Sequence, residues 1–426
     1  MSKRNKLFLV SIIILFIVLS LFLFLVNKKI FNTQDGNYIS DLVVDKNLED
    51  PIHLINNSAS TYSLEMLRDT KIQVELPNDK QIINIIDDQT LVIVSNDRKY
   101  IQTYNLKTKT TSNITEVSSN DKNIESVVYN DKWYLWAEDE AFITNTEAKP
   151  FQWKLIAYNI ETNEKVTIDV SDISINTVKT PIYIHYTPEK FAISDTNKIV
   201  YCKNIDLNQT VGSQVVIYDL DEKTSTIVDQ IPDTSKELIT DCAIYNDSVL
   251  YCKFSEVNDD FSFRQTRYKY SDLYQYNIEE ATSLQLTSKD FFCEPNIYEN
   301  KISVIRMPSM ESKFSCYAEM GIFDTIKKEY TSLVNRRSVI SLYENQVDDI
   351  YVTNTKIKDD LLIWQDTSTG VRFLYDFSKD KFVEIQKGKP GYIVNISGIY
   401  KNHLTFVEVD KTTGEAKCFY IKYDTK

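Results

Sequence analysis

The sequence predicts an all-β chain, a seven-bladed β-propeller with six and eight blades as alternatives, preceded by one transmembrane helix. Three observations carry this expectation: an unbroken apolar run near the N-terminus, a phrase that recurs at blade-like spacing afterwards, and a pair of short hairpins around each copy.

The apolar run comes first. Of the 20 residues from Leu7 to Val26 only Ser11 and Ser20 are polar and none is charged. As a helix the run spans roughly 30 Å, one hydrocarbon core. A cleaved signal peptide would have a shorter core ending in small residues, and an acylated cysteine is excluded because the first cysteine is Cys202. Lys3, Arg4, Lys6 and the α-amine on one flank, against Lys28 and Lys29 on the other, favour a cytoplasmic N-terminus. The expected organisation is residues 1–6 cytoplasmic, 7–26 spanning, 27–68 a mostly loose tether with short local structure around Leu64, and 69–426 an extracytoplasmic propeller. The chain carries −13; the first 30 residues contribute +5, so the remainder carries −18 (−13 − 5). Such an acidic body repels phosphate backbones and argues against a nucleic-acid partner.

The recurring phrase is an apolar run, Tyr or Phe, Asn or Asp, an apolar residue, a polar turn and another strand. It reads "YIQTYNLKTKTTSNI", "KLIAYNIETNEKVTI", "QVVIYDLDEKTSTIV", "DLYQYNIEEATSLQL", "AEMGIFDTIKKEYTSL" and "VRFLYDFSKDKFVEI", with a truncated "CFYIKYDTK" at the end. Its aromatics, Tyr104, Tyr158, Tyr218, Tyr276, Phe323, Tyr375 and Tyr423, are 54, 60, 58, 47, 52 and 48 residues apart. That period suits propeller blades and is longer than helical repeats. A second hairpin precedes each phrase, with tight turns such as Asn130-Asp131 and Asn246-Asp247, so each repeat supplies four strands, A to D. With only 8 glycines in the chain, Asn and Asp are expected at the positive-φ turn positions. The seventh copy stops after strand C, and Lys71 to Leu76 alternates in the manner of the missing outer strand that would close the ring.

The phrase "LYQYNIEEATSLQLT", Leu273 to Thr287, resembles the repeat of TolB-like (WD40-like) β-propellers, of the membrane-anchored bacterial type. The resemblance covers repeats over about 350 residues, but several copies lack the final Leu-Thr and the turn glycines are absent. It implies a propeller with binding roles and carries over no catalytic residue.

Catalytic patterns are missing from the sequence. There is no GxSxG elbow, the only histidines are His53, His185 and His403, and no zincin, calcium-loop, Asp-box or phosphate-cradling pattern occurs. No cofactor and no metal are therefore expected; the six cysteines show no CxxC spacing. His53 and His403 read as surface residues. Cys202, Cys252, Trp136 and Trp364 fall at an equivalent core position of the second strand, and Cys202 and Cys252 are too far apart to bridge. Glycoside hydrolysis needs only two suitably spaced carboxylates, which leaves a carbohydrate-active hydrolase or lyase as the rival to a binding or sensor module.

Links between strands B and C run long at Asp139 to Gln152, Ser255 to Tyr270 and Met307 to Ser315, and the D-to-A links are extended near Ile231 to Glu237 and Asn335 to Leu342. In an up-and-down blade both classes leave the same rim, the usual place for recognition. "FSFRQTRYKY" gathers Phe261, Phe263, Arg264, Arg267, Tyr268 and Tyr270 in an otherwise acidic domain, which makes them the candidate contacts for a protein, peptide or envelope polymer. The competing reading is that the aromatics cap the blade and the cations neutralise their neighbours.

Overall fold

The computed structural model describes residues 54–55, 64–66, 71–74, 81–140, 153–171, 190–207, 210–257, 268–306, 319–327, 329–334, 352–366, 372–386, 392–410, 412–413 and 415–423. The expected membrane span, 7–26, lies outside them, and no helix among the described residues is long and apolar enough to cross a membrane.

Three short strands come first: β1 (Leu54–Ile55), β2 (Leu64–Met66) and β3 (Lys71–Val74). Blade 1 is β4 to β7 (Gln81–Ile85, Thr90–Val94, Tyr100–Asn105, Thr111–Glu116), and blade 2 is β8 to β11 (Lys122–Tyr129, Trp133–Glu140, Lys154–Asn159, Lys165–Val170). Blade 3 is β12 to β15 (Phe191–Ile193, Lys198–Leu207, Thr210–Asp219, Thr224–Ile231), and blade 4 is β16 to β19 (Leu238–Tyr245, Ser248–Val257, Tyr268–Asn277, Thr282–Gln285). Blade 5 is β20 to β23 (Phe292–Tyr298, Lys301–Arg306, Glu319–Asp324, Glu329–Val334), and blade 6 is β24 to β27 (Val352–Lys358, Leu361–Asp366, Arg372–Asp376, Lys381–Gln386). Blade 7 is β28 to β30 (Tyr392–Tyr400, His403–Asp410, Ala416–Lys422), and its fourth place is taken by β3, antiparallel to β30 with Lys71 opposite Ile421. The seven sheets are a seven-bladed propeller. Each innermost strand meets the next around the ring, and β28 returns to β4.

Why the phrase repeats is visible in its hydrogen bonds. The Asn or Asp carboxamide or carboxylate accepts backbone N–H groups of its own turn: Asn105 Oδ1 from Lys107 and Thr108, Asn159 Oδ1 from Glu161 and Thr162, Asp219 Oδ1 from Asp221 and Glu222. Asn277, Asp324 and Asp376 do the same in blades 4 to 6. The next residue's N–H then donates to the neighbouring A–B turn in blades 1 to 6, from Leu106 to Gln89 O at 2.7 Å through to Phe377 to Asp360 O at 2.9 Å. Blade 7 corrects the expected alignment: Tyr423 makes this bond, to Asn402 O at 2.7 Å, with Ile421 at the aromatic place and Lys422 at the Asx place. Aromatic, Asx and apolar positions thus respectively fill the core, cap one turn and dock it on the other.

The core is divided among the blade interfaces. Seven apolar clusters lie one between each adjacent pair, and that between blades 7 and 1 is built from Ile85, Leu91, Ile93, Tyr104, Val407, Cys418 and Tyr420. At the same seam Gly398 lies so close to blade 1 that a Cβ there would come within 1.9 Å of Asn84 Oδ1.

Several expectations are corrected. The left-handed turn positions are not reserved for Asn and Asp: Lys109, Lys223, Ala281, Glu299 and Lys401 hold them beside Asn163, Asn197, Asn246, Asp359 and Asp380. Caps supplied by the phrase make the turn, and the residue four places later accepts the strain. His403 is buried, not at the surface; its ring stacks on Tyr420 with centroids 5.3 Å apart. A flat imidazole can cover that ring where other blades carry lysine. Within the stretch expected as a mostly loose tether, short structure does occur around Leu64: β2 adds parallel to the outer strand β27, and β1 adds parallel to β23.

Candidate functional site

The strand directions send the B–C and D–A links to one rim and the tight A–B and C–D turns to the other. Of the candidate contacts, Phe261, Phe263, Arg264 and Arg267 lie outside the described residues. The strands reach further than the sequence suggested, with Ser255 paired to Tyr270 and Val257 to Tyr268, so Tyr268 and Tyr270 belong to β18. Tyr268 is buried, its ring meets Phe254 at 5.7 Å, and its hydroxyl donates to Thr234 O at 2.5 Å. It serves the packing of the blade end, while Tyr270 is half-buried.

Trp136 and Trp364 are core residues. Trp136 is fully buried and its Nε1 donates to Glu138 at 3.0 Å; Trp364 stacks on Phe373.

The polar chemistry lies at the ring's centre. Six of the seven innermost strands, all but the short β12, carry a register shift. Such a bulge re-aims side chains that strict alternation would send to a blade face. Two of the bulged residues, Asp241 in blade 4 and Glu294 in blade 5, have positive φ, 55° and 52°. Lys190, just before β12, pairs with Asp241 at 3.0 Å, their side chains 38% and 13% exposed. Asp241 Oδ2 also accepts the Glu294 N–H at 3.1 Å. Asn296 Nδ2 donates to Glu294 O at 3.2 Å and, in blade 6, to Thr355 O at 3.0 Å and Thr355 Oγ1 at 2.9 Å. Four consecutive blades are thereby joined into one polar arc that ends at Thr355, next in sequence to Lys356.

Lys190 and Lys356 differ electrostatically. Burial works to lower the Lys190 pKa, but Asp241 and then Glu294 more than offset it and hold the ammonium charged. At Lys356 burial prevails, and the pKa falls to about 8. The inner strands therefore carry a fixed ion pair at blades 3 and 4 and, in blade 6, a lysine whose pKa is lowered to about 8, groups suited to holding a polar ligand or moving a proton. Among the described residues no group of three or more His, Cys, Asp and Glu is arranged to hold a metal ion.

No family profile matches the chain, and no curated protein matches it. Solved structures do. The β-propeller domain of the Trilobed protease from Pyrococcus furiosus aligns at 13% identity over 82% of this chain and 97% of that one, with a TM-score of 0.52. Oligogalacturonate lyase from Vibrio parahaemolyticus aligns at 8% identity over 85% and 96%, with a TM-score of 0.50. YCF48 bound to D1 peptide aligns at 8% identity over 85% and 99%, also at 0.50. The chain spans about half, 53%, of the matched Porphyromonas gingivalis dipeptidyl peptidase 4. TolB from Acinetobacter baumannii is matched at 10% identity over 81% and 79%, with a TM-score of 0.36. Identities this low make the likeness one of fold, and the chain is accordingly a seven-bladed β-propeller.

Proposed function

We propose that this chain is a membrane-tethered, extracytoplasmic binding or sensor module that docks a protein, peptide or envelope polymer on the rim where its long links leave. The observation that carries the reading is the sorting of links: tight capped turns on one rim, and the extended B–C and D–A connections on the other. A rigid ring with variable links on one rim is a scaffold for recognition. The apolar run at 7–26 supports the anchor, and the −18 of the remainder argues for a partner other than nucleic acid. YCF48, whose structure holds the D1 peptide, is a precedent for peptide binding on this fold.

Crosslinking in intact cells, followed by identification of what co-purifies, tests the reading. A discrete partner lost on Arg264→Ala with Arg267→Ala, at unchanged melting, supports it. Full recovery from that variant removes the loop from the site. Protease shaving of intact cells should release a stable soluble fragment; a domain protected until the membrane is permeabilised inverts the topology.

The second reading is an extracytoplasmic lyase or hydrolase acting on polysaccharide, and Lys356 is the observation that favours it. Its pKa of about 8 suits a base at mildly alkaline pH, and oligogalacturonate lyase shares the fold. Turnover of an acidic oligosaccharide that is abolished by Lys356→Met would move the function to this reading.

A further inference from the structure

We propose that Cys202 and Cys242 form an inter-blade disulfide, a modification site that staples blade 3 to blade 4 beside the axial ion pair. Three placements bring them together. Cys202 on β13 packs against the apolar cluster between these blades, to which Cys242 on β16 contributes. The register pairs Phe191 with Tyr201, which sets Lys190 opposite Cys202, and Cys242 Sγ donates to Lys190 O at 3.3 Å. Both cysteines therefore adjoin Lys190, Cys202 by continuation of the register and Cys242 by its hydrogen bond. The Cys242 side chain also lies near enough to act on the Cys202 thiol, and both are free thiols in this structure. Cys252, which shares Cys202's place in the repeat, belongs instead to the next interface, between blades 4 and 5.

The chemistry is ordinary exchange with a low-molecular-weight disulfide. One cysteine thiolate attacks a sulfur of that oxidant, forming a mixed disulfide and releasing one thiol. The second cysteine then displaces the other half as a second thiol. Two electrons pass from the cysteine pair to the oxidant, and the two thiol protons end on its products. In the finished ring the contact with Cys242 and then burial push the Cys202 thiol well above its usual pKa, which suppresses the attacking thiolate. The bond accordingly forms while blades 3 and 4 are assembling. The proposal rests on the extracytoplasmic location, because such a bond persists in an oxidising compartment.

The test uses the full chain purified from its membrane without reductant, denatured, alkylated, and only then reduced and digested. Cys202 and Cys242 should resist alkylation until reduction and appear as one joined peptide pair, while Cys252, Cys293 and Cys418 label at once. Reduction should lower the melting temperature, and Cys242→Ser should make Cys202 label immediately. Should the two be free as purified but joined after refolding in a glutathione redox buffer, the pairing stands and the location reading fails. The proposal is overturned if both still label before reduction after that refolding, or if either is joined to another cysteine.

Discussion

Replacing the left-handed lysine or alanine of a C–D turn with glycine should stabilise the ring. Lys109 and Ala281 are exposed and held at φ of 57° and 51°, four residues after the Asx that caps each turn. A side chain in that conformation costs about 1–2 kcal/mol, because its Cβ crowds the following carbonyl. Glycine removes the strain but gives the unfolded chain more freedom, worth roughly 0.5–1 kcal/mol against it. The net gain is about 0.5–1 kcal/mol for Lys109→Gly and for Ala281→Gly, or a rise of about 0.5–1.5 °C each by thermal melting. The two sites lie in different blades and should add. Lys223→Gly should gain less, because Lys223 pairs with Glu164 of the neighbouring blade at 2.6 Å, an exposed bridge of small worth. Lys107→Gly is the control: the same turn, exposed, and without positive φ, so it should lose stability. If Lys109→Gly and Lys107→Gly melt alike and below the parent, conformational strain is not what these positions store.

Acid should loosen the seam between blades 7 and 1. Burial, with Lys422 nearby, lowers the His403 pKa below 6.5, so below that pH the unfolded chain binds the proton more readily. Its contribution is complete above about pH 6.5 and is lost as the pH falls toward the folded value; His403→Gln should flatten this part of a melting-temperature profile. Gly398→Ala should cost about 1–3 kcal/mol in denaturant titration, since the new methyl overlaps the Asn84 carboxamide; a neutral result would mean that Asn84 swings away freely. At pH 7 the Lys356 ammonium is a burden, its pKa being lowered from 10.5 to about 8. Lys356→Met should therefore raise stability by about 1–3 kcal/mol at pH 7, and the difference from the parent should shrink between pH 8 and 10.5. A destabilised variant at neutral pH would mean that the ammonium's contacts outweigh its desolvation.

The ring was legible in the sequence because one local arrangement is written six times, and a seventh blade keeps its last hydrogen bond. Tyr104 and its counterparts fill the interfaces, the Asx after each caps a turn, and the following N–H fastens that turn to its neighbour. These are short-range requirements, so they leave a pattern at fixed offsets. The axial arc is of another kind. Lys190, Asp241, Glu294 and Lys356 come from four blades, and the last three occupy or adjoin breaks in register, where one extra residue reverses the face that alternation assigns. A faint signal existed, an acid inside an otherwise apolar inner strand, as in "ITDCAIY" and "FCEPNIY". The burial of His403 left no such trace, since it depends on a ring contributed by the next strand. Tyr268 and Tyr270 were read as loop because the aromatic and basic run masks the strand alternation that continues into it.

The order in which the ring is made follows from where its first strands lie. On a ribosome, β1, β2 and β3 emerge before every blade, yet the edges they pair with, β23, β27 and β30, are among the last to be translated. The bond from the Tyr420 hydroxyl to Asp88 O likewise spans 332 residues. The growing chain must carry β1, β2 and β3 unpaired until β23, β27 and β30 have been made, with blade 1 waiting for its neighbour. Blades 2 to 4 can stack as they appear, but the circle shuts only once β30 has been made. Closure is then a single late event with a large loop entropy to overcome, which makes it the natural rate-limiting step and the interval in which a chaperone would have most to protect.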